Sequence, residues 1–316
     1  ENGNCTYENG KVCIDGKCYE ETELRKYGEN KDQSEQNSEK EYLLSENDLK
    51  LFEEFKKYLE SKEANAEYMS VSQFKSFAGT DGKLACEAEA MAELRGEWEM
   101  KKTTALMVGS YVDSYFEGTL DDFKKRTPEL FTQKGTLKAD YQKANRIIER
   151  IERDPFFMKC MSGEKQVIMT GELFGSRWKI KMDSYIPNTV IVDLKVMASI
   201  TKHEWVRDLG PVDFIRYWGY DIQGAVYQEI VRQNTGKKLP FYIAAATKED
   251  ETNIEVIHVA DNFLRDALSI VEANMPRVLR VKNGEEQPHR CGLCDYCRNT
   301  KVLTGPIGIL DLLKDV

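Results

Sequence analysis

The chain has 316 residues, 41% of them hydrophobic and 31% charged, enough to bury a large core. No apolar run approaches the roughly 18 residues of a membrane-spanning helix. Of the net charge of −9, the first 66 residues carry 17 acids against 10 bases; the remainder is nearly neutral, so charge alone does not exclude a nucleic-acid partner. The opening ENGNCTYENGK shows neither the basic nor the apolar region of a signal peptide and lacks an initiator Met, so a processed or trimmed cytoplasmic chain without a membrane partner is expected.

Residues 1–27 hold Cys5, Cys13 and Cys18 among the turn signals Asn9-Gly10 and Asp15-Gly16, which predicts a small element of two hairpins. Residues 28–66 read as an acidic linker and a helix. Residues 28–40 are polar and aperiodic, whereas Leu49, Phe52, Phe55 and Leu59 recur every three or four positions within Ser45–Ser61. A main domain is expected over residues 67–316. Helices are predicted from Ser70, over Ala85–Lys101, over Met107–Phe116 and over Asp140–Arg153, the last stopping before Asp154-Pro155. At Gln166 the pattern changes. QVIMTGELFG, RWKIKMDSYI and TVIVDLKV predict three consecutive strands, with turns at Gly175-Ser176 and Pro187-Asn188. Pro211–Gln233 reads as one long helix, LPFYIAAATK and NIEVIHV as strands, and Asp261–Asn274 as a helix capped by Asp261 and ended by Pro276. There is no internal repeat. The order specifies an α/β fold with a mixed central sheet flanked by helices.

The chemistry concentrates in the stretch from Asp183 to Lys195. Asp193 and Lys195 are two apart on one strand and project from the same face, and the short turn at Pro187-Asn188 can bring Asp183 opposite Asp193. Two carboxylates and an ammonium at a hairpin mouth suit a hard cation, Mg²⁺ or Mn²⁺, and phosphodiester hydrolysis. Solvated side chains on an ordinary hairpin would explain an arbitrary D…DxK. In VIVDLKV, however, the charges interrupt an otherwise buried strand, which is costly unless they are paired or metal-bound.

With these residues the sequence resembles the PD-(D/E)XK nuclease superfamily, and within it the RecB-like and phage RecE-like exonucleases. Asp183, Asp193 and Lys195 match its acid followed by a spaced (D/E)-x-K, and Gln223-Gly-Ala-Val-Tyr227 matches the downstream Q-x-x-x-Y motif. The family's upstream G-x-x-x-H pattern meets GSYVDSYFEG, where Asp113 takes the place of histidine and Glu117, one turn on, is the alternative ligand. The resemblance spans about residues 67–300. It implies a restriction-endonuclease-like core, a metal held by Asp183, Asp193 and Asp113 or Glu117, and strand-orienting roles for Gln223 and Tyr227. Glu172 reads as a strand-surface residue, with an additional acid near the metal as the alternative, and Tyr217, Trp218 and Tyr220 as core aromatics that could also stack on bases.

Cys291, Cys294 and Cys297 form C-x₂-C-x₂-C, a spacing that aims several thiolates at one centre, and Cys86 is the best candidate for a fourth ligand. The resemblance to AddB-type nucleases, with one cysteine before the core and three after it, implies a 4Fe–4S cluster. Zinc held by the three cysteines with Cys86 or His289 is the runner-up. Cys160 is expected to pack in an apolar setting.

No P-loop and no His-based zinc motif occurs, so helicase activity and His-zinc hydrolysis are not expected. The resulting expectation is a Mg²⁺-dependent exodeoxyribonuclease acting on linear duplex ends in phage-type recombination. The resemblance further implies a homo-oligomer, a single-strand annealing protein as partner, and a phage or prophage origin in a bacterial host. A CRISPR-associated RecB-like single-strand exonuclease and a non-catalytic DNA-binding module of the same fold are the competing readings.

Overall fold

The computed structural model describes residues 46–310 and, before them, three strands: β1 (Cys5–Glu8), β2 (Lys11–Ile14) and β3 (Lys17–Glu20). These pair antiparallel in the order β1-β2-β3, where two hairpins are expected. The linker expected over residues 28–40 and the side chains of Cys5, Cys13 and Cys18 lie outside the described residues.

The helices and strands that follow are α1 (Glu46–Glu60), α2 (Ala64–Glu67), β4 (Tyr68–Met69), α3 (Val71–Ala78), α4 (Glu87–Leu94), α5 (Thr104–Glu117), α6 (Leu120–Arg126), α7 (Lys143–Glu152) and α8 (Pro155–Cys160). Then come β5 (Val167–Leu173), β6 (Ser176–Met182), β7 (Ser184–Ile186), β8 (Val190–Met197), β9 (Glu204–Val206) and β10 (Gly210–Val212). The chain continues through α9 (Phe214–Tyr217), α10 (Tyr220–Thr235), β11 (Phe241–Thr247), β12 (Ile254–Val259), α11 (Asp261–Lys282) and α12 (Asp295–Asn299).

The central sheet has the order β12-β11-β8-β7 and is mixed, with β11 parallel to β8 and the other pairs antiparallel. A second sheet, β4-β6-β5, adjoins it. Alternation along β8 sorts its side chains. Val190, Val192 and Leu194 enter a core with Val108, Val112, Ile147 and Ile151 of α5 and α7. Ile191 enters the other core, with Phe74, Trp178, Val226, Ile230 and Val271. Asp193 and Lys195 share the face of Ile191, toward α10. Buried apolar surface of this extent contributes about 25 cal/mol per Å² and holds β8 from both sides.

Several predicted boundaries move, each for a local reason. The helix expected over Ala85–Lys101 stops at Leu94. Gly96 takes φ 72°, and the Glu97 N–H reaches back to the Ala92 carbonyl at 2.9 Å, a Schellman ending. The helix expected over Pro211–Gln233 is broken: Pro211 belongs to β10, Asp213 caps α9, and Gly219 at φ 62° separates α9 from α10. The hairpin β9–β10, with Trp205 80% exposed, is absent from the sequence reading. Pro276 lies inside α11 rather than ending it, because Met275, Val278 and Val281 are buried beyond the missing hydrogen bond. The N-cap of α11 is Ala260, not Asp261. Finally, the second expected strand splits at Asp183 into β6 and β7, which lie in different sheets.

Candidate active site

The corner between β6 and β7 builds the site. The β7–β8 register pairs Ser184 with Val192, which sets Asp183 across from Asp193. Asp183 Oδ2 accepts the Leu194 backbone N–H at 2.9 Å. Asp193 is 2% exposed. Its Oδ1 accepts Gln223 Nε2 at 2.6 Å, and its Oδ2 faces the Lys195 ammonium alone. Gln223 and Tyr227 are buried one turn apart on α10, and the Tyr227 hydroxyl donates to the Lys181 carbonyl at 2.9 Å, fixing β6 two residues before Asp183.

Burial holds the Asp183 carboxyl well above the usual carboxylate range, and the neighbouring Asp193 charge adds to it. For Lys195, burial alone would lower the pKa. The Asp193 and Asp183 carboxylates outweigh it and raise the amine above its ordinary value, so it stays protonated. Asp113 projects from α5 and is pushed up to about 7 by burial, with Lys195 opposing and Glu117 and Asp193 reinforcing. Its Oδ1 is shut off from solvent and has no hydrogen-bond partner. Glu117 instead accepts the Thr119 hydroxyl at 3.1 Å. The structure therefore brings Asp113, Asp183, Asp193, Lys195 and Gln223 to one place, with Tyr227 bracing it.

A desolvated Asp113 oxygen without a hydrogen bond, beside the buried Asp183 and Asp193, fits a hard divalent cation. The acids are not drawn into a tight ring. Among the described residues, the only set of three or more His, Cys, Asp or Glu ligand atoms within 4.8 Å of one another is the cysteine quartet.

A cavity of about 350 Å³ is lined by Gln223 and Tyr227 together with Glu60, Ser70, Ser72, Lys75, Lys179 and Lys181. Burial lowers the Lys75 amine to about 8, with the Lys195 charge adding and Asp193 opposing. The Tyr220 ring lies 5.4 Å from the Lys75 ammonium and 5.2 Å from that of Lys195. The sequence reading passes over these lysines. One signal was available: in KIKMD, Lys179, Lys181 and Asp183 are two apart on one strand. Trp218 is 46% exposed, Tyr217 packs against it, and Glu172 is exposed with its backbone bonded to Gln233.

The second constellation joins the two ends of the domain. Cys86 caps α4, Cys294 caps α12, and Cys297 lies within α12. Cys86 Sγ is 3.5 Å from Cys297 Sγ and 3.6 Å from Cys294 Sγ. The N–H groups of Leu293 and Cys294 point at Cys291 Sγ at 3.4 and 3.3 Å, and that of Cys297 at Cys294 Sγ at 3.3 Å. Cys86, not His289, thus completes the set. The same junction carries a bidentate pair from Arg277 to Glu87 at 2.8 and 2.9 Å. Cys160 is buried in the α5–α7 core, as expected.

Residues 70–300, well over half of the chain, match the family described as a PDDEXK-like domain of unknown function (DUF3799). The chain belongs to this PDDEXK-like family. A crystal structure described as that of a "Putative exonuclease" from Eubacterium rectale is 67% identical, covers 82% of this chain and 98% of its own, and superposes with a TM-score of 0.80. The structure of SSO0001 is 12% identical over 69% of this chain and 94% of its own, at a TM-score of 0.27. No curated protein matches.

Proposed function

We propose that the protein is a divalent-metal-dependent exodeoxyribonuclease that resects linear duplex ends. The observation that carries this reading is the corner at Asp183, where the register sets two buried carboxylates opposite each other beside a protonated lysine. The description of the Eubacterium rectale relative as a "Putative exonuclease" supports the exonuclease part of this reading.

Asp183, Asp193 and Asp113 would hold Mg²⁺ or Mn²⁺, which when bound supplies Lewis-acid charge at the scissile phosphate and lowers the pKa of water. Gln223 fixes the rotamer of Asp193 through its 2.6 Å hydrogen bond. The Lys195 ammonium, paired with Asp193, would act by position and charge, stabilising negative charge that builds on the phosphoryl oxygens. Lys75, Lys179 and Lys181 line a cavity with Gln223 and Tyr227, and although Glu60 pairs with Lys181 there, the three ammonium groups offer a path for a phosphate backbone. By resemblance, the reading extends to phage-type recombination, a homo-oligomer and a single-strand annealing partner.

The cysteine quartet is proposed as a structural metal site. The resemblance to AddB-type nucleases favours 4Fe–4S. The sulfur spacing favours zinc, because four thiolates at about 2.3 Å from one tetrahedral ion lie about 3.8 Å apart, close to the 3.5 and 3.6 Å found here. Iron, acid-labile sulfide and zinc stoichiometry of the purified protein separates the two.

The activity is tested by Mg²⁺-dependent digestion of end-labelled linear duplex, closed circle and single strand, comparing the wild type with Asp193→Asn. The expected result is loss of linear duplex only, reduced at least about a thousandfold by the substitution. Digestion of single strand alone would favour the CRISPR-associated type. DNA binding by both proteins with no cleavage of any substrate would leave a binding module.

A further inference from the structure

Gln166 stands where the two sheets part. Glu164 exchanges both backbone hydrogen bonds with Tyr185, at 2.8 and 2.9 Å, and Val167 pairs with Met182. The register between these pairs sets Gln166 across from Asp183.

Two features single this residue out. Its φ is 54°, in the left-handed region. Its side-chain Nε2 and Oε1 are both closed off from solvent, and neither has a hydrogen-bond partner. Each is unfavourable on its own. Phe174, beside Gly175 in the β5–β6 turn, and Asn188, between β7 and β8, share the positive φ but lie at hairpin turns. Gln166 lies instead at the elbow facing an acid of the proposed metal site. Strain and an unsatisfied buried amide in one residue, placed there, point to a ligand that satisfies the amide.

The amide offers one acceptor and two donors. Mg²⁺ and Mn²⁺ are hard cations, and Mg²⁺ in particular gives up its waters reluctantly; such waters donate hydrogen bonds to acceptors around the site. We propose that Gln166 is a positioning residue for the divalent cation at Asp183, its carboxamide oxygen accepting a hydrogen bond from the cation's hydration shell. This rests on the reading of Asp113, Asp183 and Asp193 as the metal-holding acids.

The test is Mn²⁺ binding by the full chain, followed by electron paramagnetic resonance of the free ion, with unfolding midpoints measured without added metal. Gln166→Ala is expected to weaken Mn²⁺ binding about tenfold without lowering the metal-free midpoint, and Gln166→Glu to restore the affinity. Gln166→Gly, which suits the positive φ, repeats the comparison with the backbone relaxed. Wild-type affinity in Gln166→Ala and Gln166→Gly, with binding lost in Asp193→Asn, overturns the role of Gln166 and leaves the metal site standing. A folded wild type that binds no Mn²⁺ overturns both. Weakened binding that Gln166→Glu does not restore, accompanied by a lower metal-free midpoint, assigns the residue to structure alone.

Discussion

Burial pushes two aspartates up to nearly the same place, Asp113 to about 7 and Asp221 to about 6, but their company differs. Asp113 feels Lys195 and Asp193 at the proposed metal site. Asp221 lies in the first turn of α10, where burial is the largest cause, the Ile222 N–H opposes it, Asp81 adds and Arg216 opposes. Nothing in the proposed chemistry uses Asp221, so its shift translates into stability. The folded chain keeps this proton up to about pH 6, whereas an unfolded aspartate releases it near 3.9, so between about pH 4 and 6 the contribution falls as pH rises. Asp221→Asn keeps the acceptor for Ile222. It is expected to gain about 1–2 kcal/mol at pH 8, after discounting up to about 1 kcal/mol for the lost charge at a helix start, and nothing at pH 4. Urea unfolding at both pH values decides it; an equal gain at both would assign the effect to packing. At this scale the sequence was partly legible. Asp193 and Lys195 declare a shared face by their spacing, and a short turn suffices to place Asp183. Gln166 could not be read, because neither its positive φ nor its unsatisfied amide leaves a mark on local pattern.

Helix α10 shows how an element carries the site. Gly224 sits between Gln223 and the buried Ala225, and a Cβ there would meet Phe241 Cδ1 at 2.4 Å and Leu264 Cδ2 at 2.9 Å. The glycine lets α10 lie close on β11 and α11, which brings Gln223 within reach of Asp193. In an exposed helix Gly→Ala gains about 1 kcal/mol. Gly224→Ala is expected instead to cost about 1–3 kcal/mol and to lower nuclease activity by tilting Gln223 away. Thermal unfolding checks the first part and the digestion assay the second; a more stable Gly224→Ala would mean that α10 has room to spare. The strands were legible because β-branched runs bounded by turns admit few other readings. The long helices were not, because their ends depend on contacts distant in sequence: Met275, Val278 and Val281 hold α11 past Pro276, and Gly219 breaks Pro211–Gln233 beside Thr80 and Lys75.

Across the whole molecule, the cysteine quartet and the proposed catalytic corner are separate devices on one fold. The quartet closes a loop of about 200 residues, and cross-links of that reach can stabilise by about 5 kcal/mol in the chain-entropy picture, an upper bound. What it ties together is α4 and the segment ending in α12, with the Glu87–Arg277 pair as a second tie at the same junction. The corner rests elsewhere, on β8 between β7 and β11 and on α10, none of which supplies a cysteine to the quartet. Cys86→Ser, or chelation of the metal proposed for the quartet, is therefore expected to lower stability by about 2–4 kcal/mol. The loss should be uneven: faster amide exchange over Glu87–Leu94 and Asp295–Asn299, with protection retained along β8 and β11. Hydrogen–deuterium exchange read by peptide mass resolves the two regions. Uniform loss that includes β8 would make the quartet part of the stability of the proposed catalytic corner, and unchanged exchange with unchanged metal content would remove Cys86 from the proposed metal site altogether.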